Sequence, residues 1–153
     1  MSCINLSIRQ ATTKDVELVA VLVGELLSEL AGGEACDLDE LKKTSQQLMS
    51  QALVFPLLAF DGEAPVGVLV LNECAAIYAG GLFGEISELY VRPDYRSYGV
   101  AADLLTKAVV FAKDKGWKRL EVGAPDQSAW HRTLKFYLKE GFEEVGPRLR
   151  LKF

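Results

Sequence analysis

Between Glu88 and Leu105 the chain reads ELYVRPDYRSYGVAADLL. An apolar, β-branched run breaks at Pro93, passes Arg92 and Arg96, and meets one glycine, Gly99, where helical spacing begins. A strand that feeds a tight turn and then a helix presents the helix's first, unpaired N–H groups at the carboxyl end of a sheet. With the positive end of the helix dipole, those donors suit a phosphate-bearing ligand. Gly99 fits such a turn because a residue without Cβ tolerates unusual dihedrals and close backbone approach. The string Arg-x-x-Gly-x-Ala alone, ending at Ala101, fits an ordinary helix start as well as a phosphate cradle.

Other reactive side chains are few. Glu88 stands on the strand before the turn, and period-2 alternation puts it on the face of Ile86 and Tyr90, opposite Leu89 and Val91. Glu85 points the other way unless a bulge intervenes. Cys74 lies in a strand-like run, where cysteines are usually buried and inert, so a nucleophilic role is disfavoured. His131 is the one histidine, which excludes a two-histidine mechanism and a histidine-rich metal site. Cys3, Cys36 and Cys74 are odd in number and widely spaced, suggesting neither a disulfide framework nor a zinc site. No metal is expected. Asp37, Asp39 and Glu40 suit either a cationic ligand or the first turn of a helix, where carboxylates favour the dipole.

The chain that must position these groups has 153 residues, half hydrophobic and a quarter charged, as expected of one globular domain over 1–153. Its net charge of −4 argues against a nucleic-acid surface and is compatible with a cationic substrate. The start, MSCINLSIRQ, alternates Ile4, Leu6 and Ile8, which reads as a strand rather than a signal peptide. No run approaches the roughly 18 apolar residues of a membrane span. A cytoplasmic, reduced location is the expectation.

A strand is expected near residues 5–9, then a helix capped by Thr12 or Thr13, with Val16, Val19, Val23, Leu26, Leu27 and Leu30 at helical spacing. Gly32-Gly33 ends it, and a polar helix follows over 38–52. Two strand-like runs flank Asp61-Gly62, a hairpin signal, and a third follows Gly80-Gly81. A helix over 100–115 closes at Gly116 with a basic last turn. Then come a strand from Trp117, a helix ended by Gly141, and a last strand or strand pair in EEVGPRLRLKF. The order is β-α-α-β-β-β-α-β-α-β, an α/β domain with a mixed sheet.

The full string from Glu88 resembles the acetyl-CoA-binding motif of the GCN5-related N-acetyltransferase (GNAT) superfamily. There a strand ending in valine precedes x-Pro-x-x-Arg/Gln-x-x-Gly-x-Gly/Ala, matched here by Val91, Pro93, Arg96, Gly99 and Ala101. LKFYLKEGFEEVG is similar to the family's C-terminal motif through Phe136, Tyr137, Gly141 and Phe142. The resemblance covers essentially the whole chain. It implies a mixed, mostly antiparallel α+β sheet flanked by helices, with acetyl-CoA as cosubstrate, and a bulge in the strand that carries Glu85 and Glu88.

It also implies roles. The backbone of Leu89, Tyr90 and Val91 would pair with the pantetheine arm. Arg96 and the amides of Ser97, Tyr98, Gly99, Val100, Ala101 and Ala102 would surround the pyrophosphate. Tyr137 matches the tyrosine that protonates the leaving thiolate, and Glu88 becomes the leading general base, with a structural carboxylate as the alternative. The implied reaction is direct acetyl transfer to a primary amine of a small cationic molecule or a peptide. The alternative is a non-catalytic acyl-CoA-binding module or sensor. A homodimer is implied by the family alone. One departure stands out: seven residues before Tyr137, where many members carry a cofactor-contacting asparagine, this chain has Trp130, with Asp126, Gln127 and Ser128 nearby.

Overall fold

The computed structural model describes all residues except 1, 2, 35, 124–126 and 147, and excludes the side chains of 127–130. Residues 1–121 form one compact unit and 122–153 a second.

In the first unit, β1 (Leu6–Gln10) leads through a 3-10 turn (Thr13–Asp15) into α1 (Val16–Leu30). Thr12 is the cap: its Oγ1 accepts from the Lys14 amide at 3.3 Å, while Asp15 Oδ2 accepts from the Thr12 amide at 2.8 Å. This reciprocal arrangement satisfies donors that a helix start leaves orphaned. Asp37 does the same for α2 (Leu38–Ser50), its Oδ1 accepting from the Glu40 amide at 3.2 Å. For Asp37, therefore, the capping reading of the acidic cluster is realised.

The strands β2 (Val54–Asp61), β3 (Ala64–Ala76) and β4 (Gly81–Val91) form an antiparallel meander with β1, in the order β1-β2-β3-β4. α3 (Val100–Asp114) then crosses over to β5 (Leu120–Val122), the fifth strand in the order. The Lys118 amide donates to the Leu82 carbonyl, and the Gly84 amide to the Arg119 carbonyl. Both segments advance together along these two bonds, as in a parallel pair, so the sheet is mixed.

The two sheet faces are covered by different helices. Val68, Val70 and Tyr90 on one face pack with Leu58, Phe60, Met49 and with Val19 and Leu22 of α1. The opposite face carries Phe55, whose ring centroid lies 5.2 Å from that of Phe111 in α3. Gly67 belongs there too; a Cβ on it would stand 3.1 Å from the Tyr90 carbonyl and 3.3 Å from Leu104. Among the described residues no helix is long and apolar enough to cross a membrane.

The second unit contains α4 (Gln127–Lys139). Gly141, at φ +100°, ends it: its amide donates to Leu138 O and the Phe142 amide to Tyr137 O, the paired bonds of a Schellman stop. The last predicted strand is not formed, since residues 143–146 and 148–153 have neither helical nor strand backbone. Leu149, Leu151 and Phe153 do alternate with basic residues, but a strand exists only where a neighbour completes its ladder, and these three side chains are exposed.

Candidate active site

The turn after β4 has the predicted form. A short 3-10 turn, Pro93–Tyr95, follows the strand, and Gly99 is the N-cap of α3 at φ 74°, ψ 18°. A Cβ on Gly99 would meet nothing within 4 Å, so the left-handed dihedral, not crowding by the protein, calls for glycine. The amides of Val100, Ala101 and Ala102 open α3 and have no carbonyl four residues back within it. Those of Ser97 and Gly99 make none of the turn's hydrogen bonds. One expected donor, the Tyr98 amide, is already committed, as is the amide of Arg96 before it. The Arg96 amide donates to Pro93 O at 3.3 Å and the Tyr98 amide to Tyr95 O at 3.3 Å.

Arg96 itself is held back from the turn. Its Nε donates to Val91 O at 2.8 Å, and its two terminal nitrogens grip the Glu29 carboxylate of α1 at 2.8 and 2.9 Å. Sequence reasoning had no signal for Glu29, which lies 67 residues away.

Among Leu89, Tyr90 and Val91, backbone direction alternates. The Arg92 amide donates to Val66 O of the segment beside β4 at 2.8 Å, so Arg92 and Tyr90 turn their polar groups toward β3. Leu89 and Val91 face the other edge, where an extended ligand could add as a strand. Tyr90 contributes instead through its side chain, whose hydroxyl donates to Glu25 Oε1 at 3.2 Å.

Glu88 sits beside an irregularity. Val70 pairs with Glu88 and the next residue, Leu71, with Ile86, so Ser87 is the extra residue of a β-bulge. Because Val70 and Asn72 share a face of β3, their partners Glu88 and Glu85 share a face of β4. The expected grouping is corrected accordingly: Glu88 stands with Tyr90 and Glu85, and Ile86 is on the opposite face. Burial pushes the Glu88 carboxyl above its ordinary value; a hydrogen bond donated by the Ser87 hydroxyl opposes this, and the Glu85 charge adds to it. A carboxylate raised in this way is better matched to accept a proton near neutral pH.

Tyr137, in the second unit, is buried and makes edge-on contacts with Phe136 and Phe142, each at 5.3 Å between centroids. Burial pushes its phenol up to about 12. It stays protonated throughout the neutral range and is available as a donor. Asp126 lies outside the described residues, and of Gln127, Ser128 and Trp130 only the helical backbone is described. Cys74 Sγ donates to Asn72 Oδ1 at 3.2 Å. Among the described residues, no cluster of three or more His, Cys, Asp or Glu could hold a metal.

The model of the acetyltransferase (GNAT) family matches residues 21–142. The chain belongs to this family. Membership places the GNAT protein among N-acetyltransferase enzymes, with acetyl transfer as their general chemistry. The chain is similar to the thialysine N-epsilon-acetyltransferase of Caenorhabditis elegans, 28% identical over 129 residues, which are 84% of this chain and 77% of that one. An uncharacterized N-acetyltransferase of Methanocaldococcus jannaschii is 39% identical over 62 residues, but the match spans 39% of this chain and only 26% of that protein. A solved structure of a predicted acetyltransferase with acetyl-CoA, from Clostridium acetobutylicum, superposes with a TM-score of 0.78. The superposition covers 96% of each chain at 19% identity, which makes it a likeness of fold.

Proposed function

We propose that the GNAT protein transfers the acetyl group of acetyl-CoA directly to a primary amine of a small cationic molecule or a peptide. The observation that carries this reading is the end of β4: a strand edge at Leu89 and Val91, then a left-handed Gly99 opening a helix with unspent amides. Leu89 and Val91 would bond the pantetheine amides, and the amides of Ser97 and Gly99 to Ala102 would hold the pyrophosphate.

In the transfer, the amine nitrogen bonds to the thioester carbonyl carbon, and the carbon–sulfur bond breaks. An alkylammonium with a pKa of about 10.4 must first lose a proton, at a cost of about 4–5 kcal/mol at pH 7. Glu88 would take that proton, directly or through water. Tyr137 would donate toward the departing sulfur. A thiol titrates at about 8.5, well below this phenol, so Tyr137 would act chiefly as a hydrogen-bond donor that steadies the thiolate.

The nematode relative is named for an ε-amine acceptor, which supports a primary alkylamine here. The same reading takes residues 1–153 as one domain and places a homodimer in the cytoplasm. Calorimetric titration with acetyl-CoA tests it, followed by thiol release with polyamines, aminoglycosides, amino acids and peptide N-termini. Failure to bind at about 1 mM, the upper end of ordinary KM values, would overturn the reading. Binding without thiol release across the panel would favour an acyl-CoA-binding module.

A further inference from the structure

Glu25 and Glu29 lie four residues apart, on one face of α1, where two like charges repel. Glu29 is also in the last turn, where the helix dipole disfavours a carboxylate. Both are taken up by arginines from the end of β4. Arg92 donates through Nε and a terminal nitrogen to Glu25 at 3.0 and 2.8 Å, with its remaining nitrogen on Pro65 O at 2.8 Å. Arg96 grips Glu29 through both terminal nitrogens, keeps Nε on Val91 O, and lies 5.6 Å over the Tyr90 ring. Each fork is bidentate, the arrangement that fixes direction as well as charge.

We propose that Glu29 is a positioning residue for the acyl-CoA turn. It acts through Arg96, holding the guanidinium on the Val91 carbonyl so that the turn's backbone amides, not this arginine, take the phosphate charge. The Arg96–Val91 bond spans the turn from its far side to the strand end, and so fixes the path of 92–96 on which Gly99 and α3 follow. The Glu29 fork removes the freedom the guanidinium would otherwise have to swing over the amides. The inference rests on the acetyltransferase reading above.

Acetyl-CoA calorimetry and steady-state kinetics of Glu29→Ala, Arg96→Lys and the double variant test it. Lysine keeps the charge but not the fork. Expected is a rise of about five- to tenfold in Kd and KM for acetyl-CoA in each single variant. The double variant should be no worse than the poorer single, because one linkage is broken in all three. The kcat and acceptor KM should stay within about twofold, whereas loss of folded protein would lower kcat instead. The slope of log Kd against log salt should not change. If Glu29→Ala binds as tightly as the parent, the proposal is overturned. So it is if Arg96→Lys retains full affinity, which would make Arg96 a phosphate ligand acting by charge. If the parent protein binds no acetyl-CoA, both this inference and the acetyltransferase reading fall, a result separate from a tight-binding Glu29→Ala.

Discussion

Glu88 and Glu85, three residues apart on one strand, share a face of the sheet because Ser87 is inserted between them as a bulge. In an unbroken strand, residues three apart face opposite ways. Burial is the larger cause that raises the pKa of Glu88, and the bulge adds a second by setting the charge of Glu85 on the same face.

That shift has a kinetic signature. A base works only when ionised, so kcat/KM should fall as pH drops through the folded-state pKa of Glu88, above the ordinary carboxylate value of about 4.3. Glu88→Gln should lower kcat by about 10²-fold or more and abolish this acid limb. Persistence of the limb in the variant would remove Glu88 from the base's role.

The same shift has the opposite sign for stability. A folded pKa above the unfolded one contributes stability that is full below the unfolded pKa and lost as pH rises through the folded pKa. Ionised Glu88 is therefore a cost at pH 7. Glu88→Gln should melt higher at pH 7, by about 2–4 °C per kcal/mol for a domain of this size, and show no gain at pH 4. Equal melting temperatures at pH 7 would contradict it.

Tyr137→Phe keeps the aromatic packing and removes only the hydroxyl. It should reduce kcat by about 10²-fold with little change in KM for acetyl-CoA. Because the phenol titrates at about 12, activity should show no falling limb from this group between pH 8 and 10. Unaltered turnover in the variant would exclude the donor role.

Gly99→Ala and Gly99→Asn separate dihedral from space. Nothing in the protein crowds a Cβ there, so the strain is that of φ 74° alone. Alanine should cost about 1 kcal/mol in chemical denaturation, and asparagine, which tolerates the left-handed region, about half that. If the turn's amides hold the pyrophosphate, an altered dihedral at this residue shifts them, so both variants should also weaken acetyl-CoA binding; unchanged affinity in both would count against that role.

Gly84→Ala is the steric counterpart. A Cβ at this position would lie 2.3 Å from the Trp117 ring and 2.7 Å from Leu120. Overpacking of this kind costs about 1–3 kcal/mol, measurable as a lowered urea midpoint. An unchanged midpoint would mean that the indole can shift at no cost.

The sheet and its helices were largely legible because each carries a plain signal. Examples are apolar alternation in β1, helical spacing in α1, and glycines at Gly32, Gly116 and Gly141 where helices stop. Gly99 was legible for the same reason. The Ser87 bulge was not legible in the residues themselves, because nothing in ELYV or its neighbours distinguishes an extra residue from an unbroken alternation; the family resemblance implies a bulge in this strand, and pairing with β3 puts it at Ser87. The engagement of Arg96 escaped as well. Its partner lies on a helix 67 residues earlier, and residue type alone offers phosphate and carboxylate as equal partners. The missing last strand shows the converse, an alternating pattern without a neighbour to complete it.

Trp117 is one of two tryptophans in the chain, and its buried indole packs against Gly84, Phe55 and Phe111 with Nε1 donating to Glu73 at 2.7 Å. Its ultraviolet emission therefore reports whether α3 is seated on the sheet. With Trp130 replaced by phenylalanine, that single fluorophore becomes an optical gauge of the helix whose first turn faces the proposed phosphate. Ligand-induced tightening or loosening of α3 then becomes readable as a change in indole fluorescence, in a stopped-flow cell and without a label.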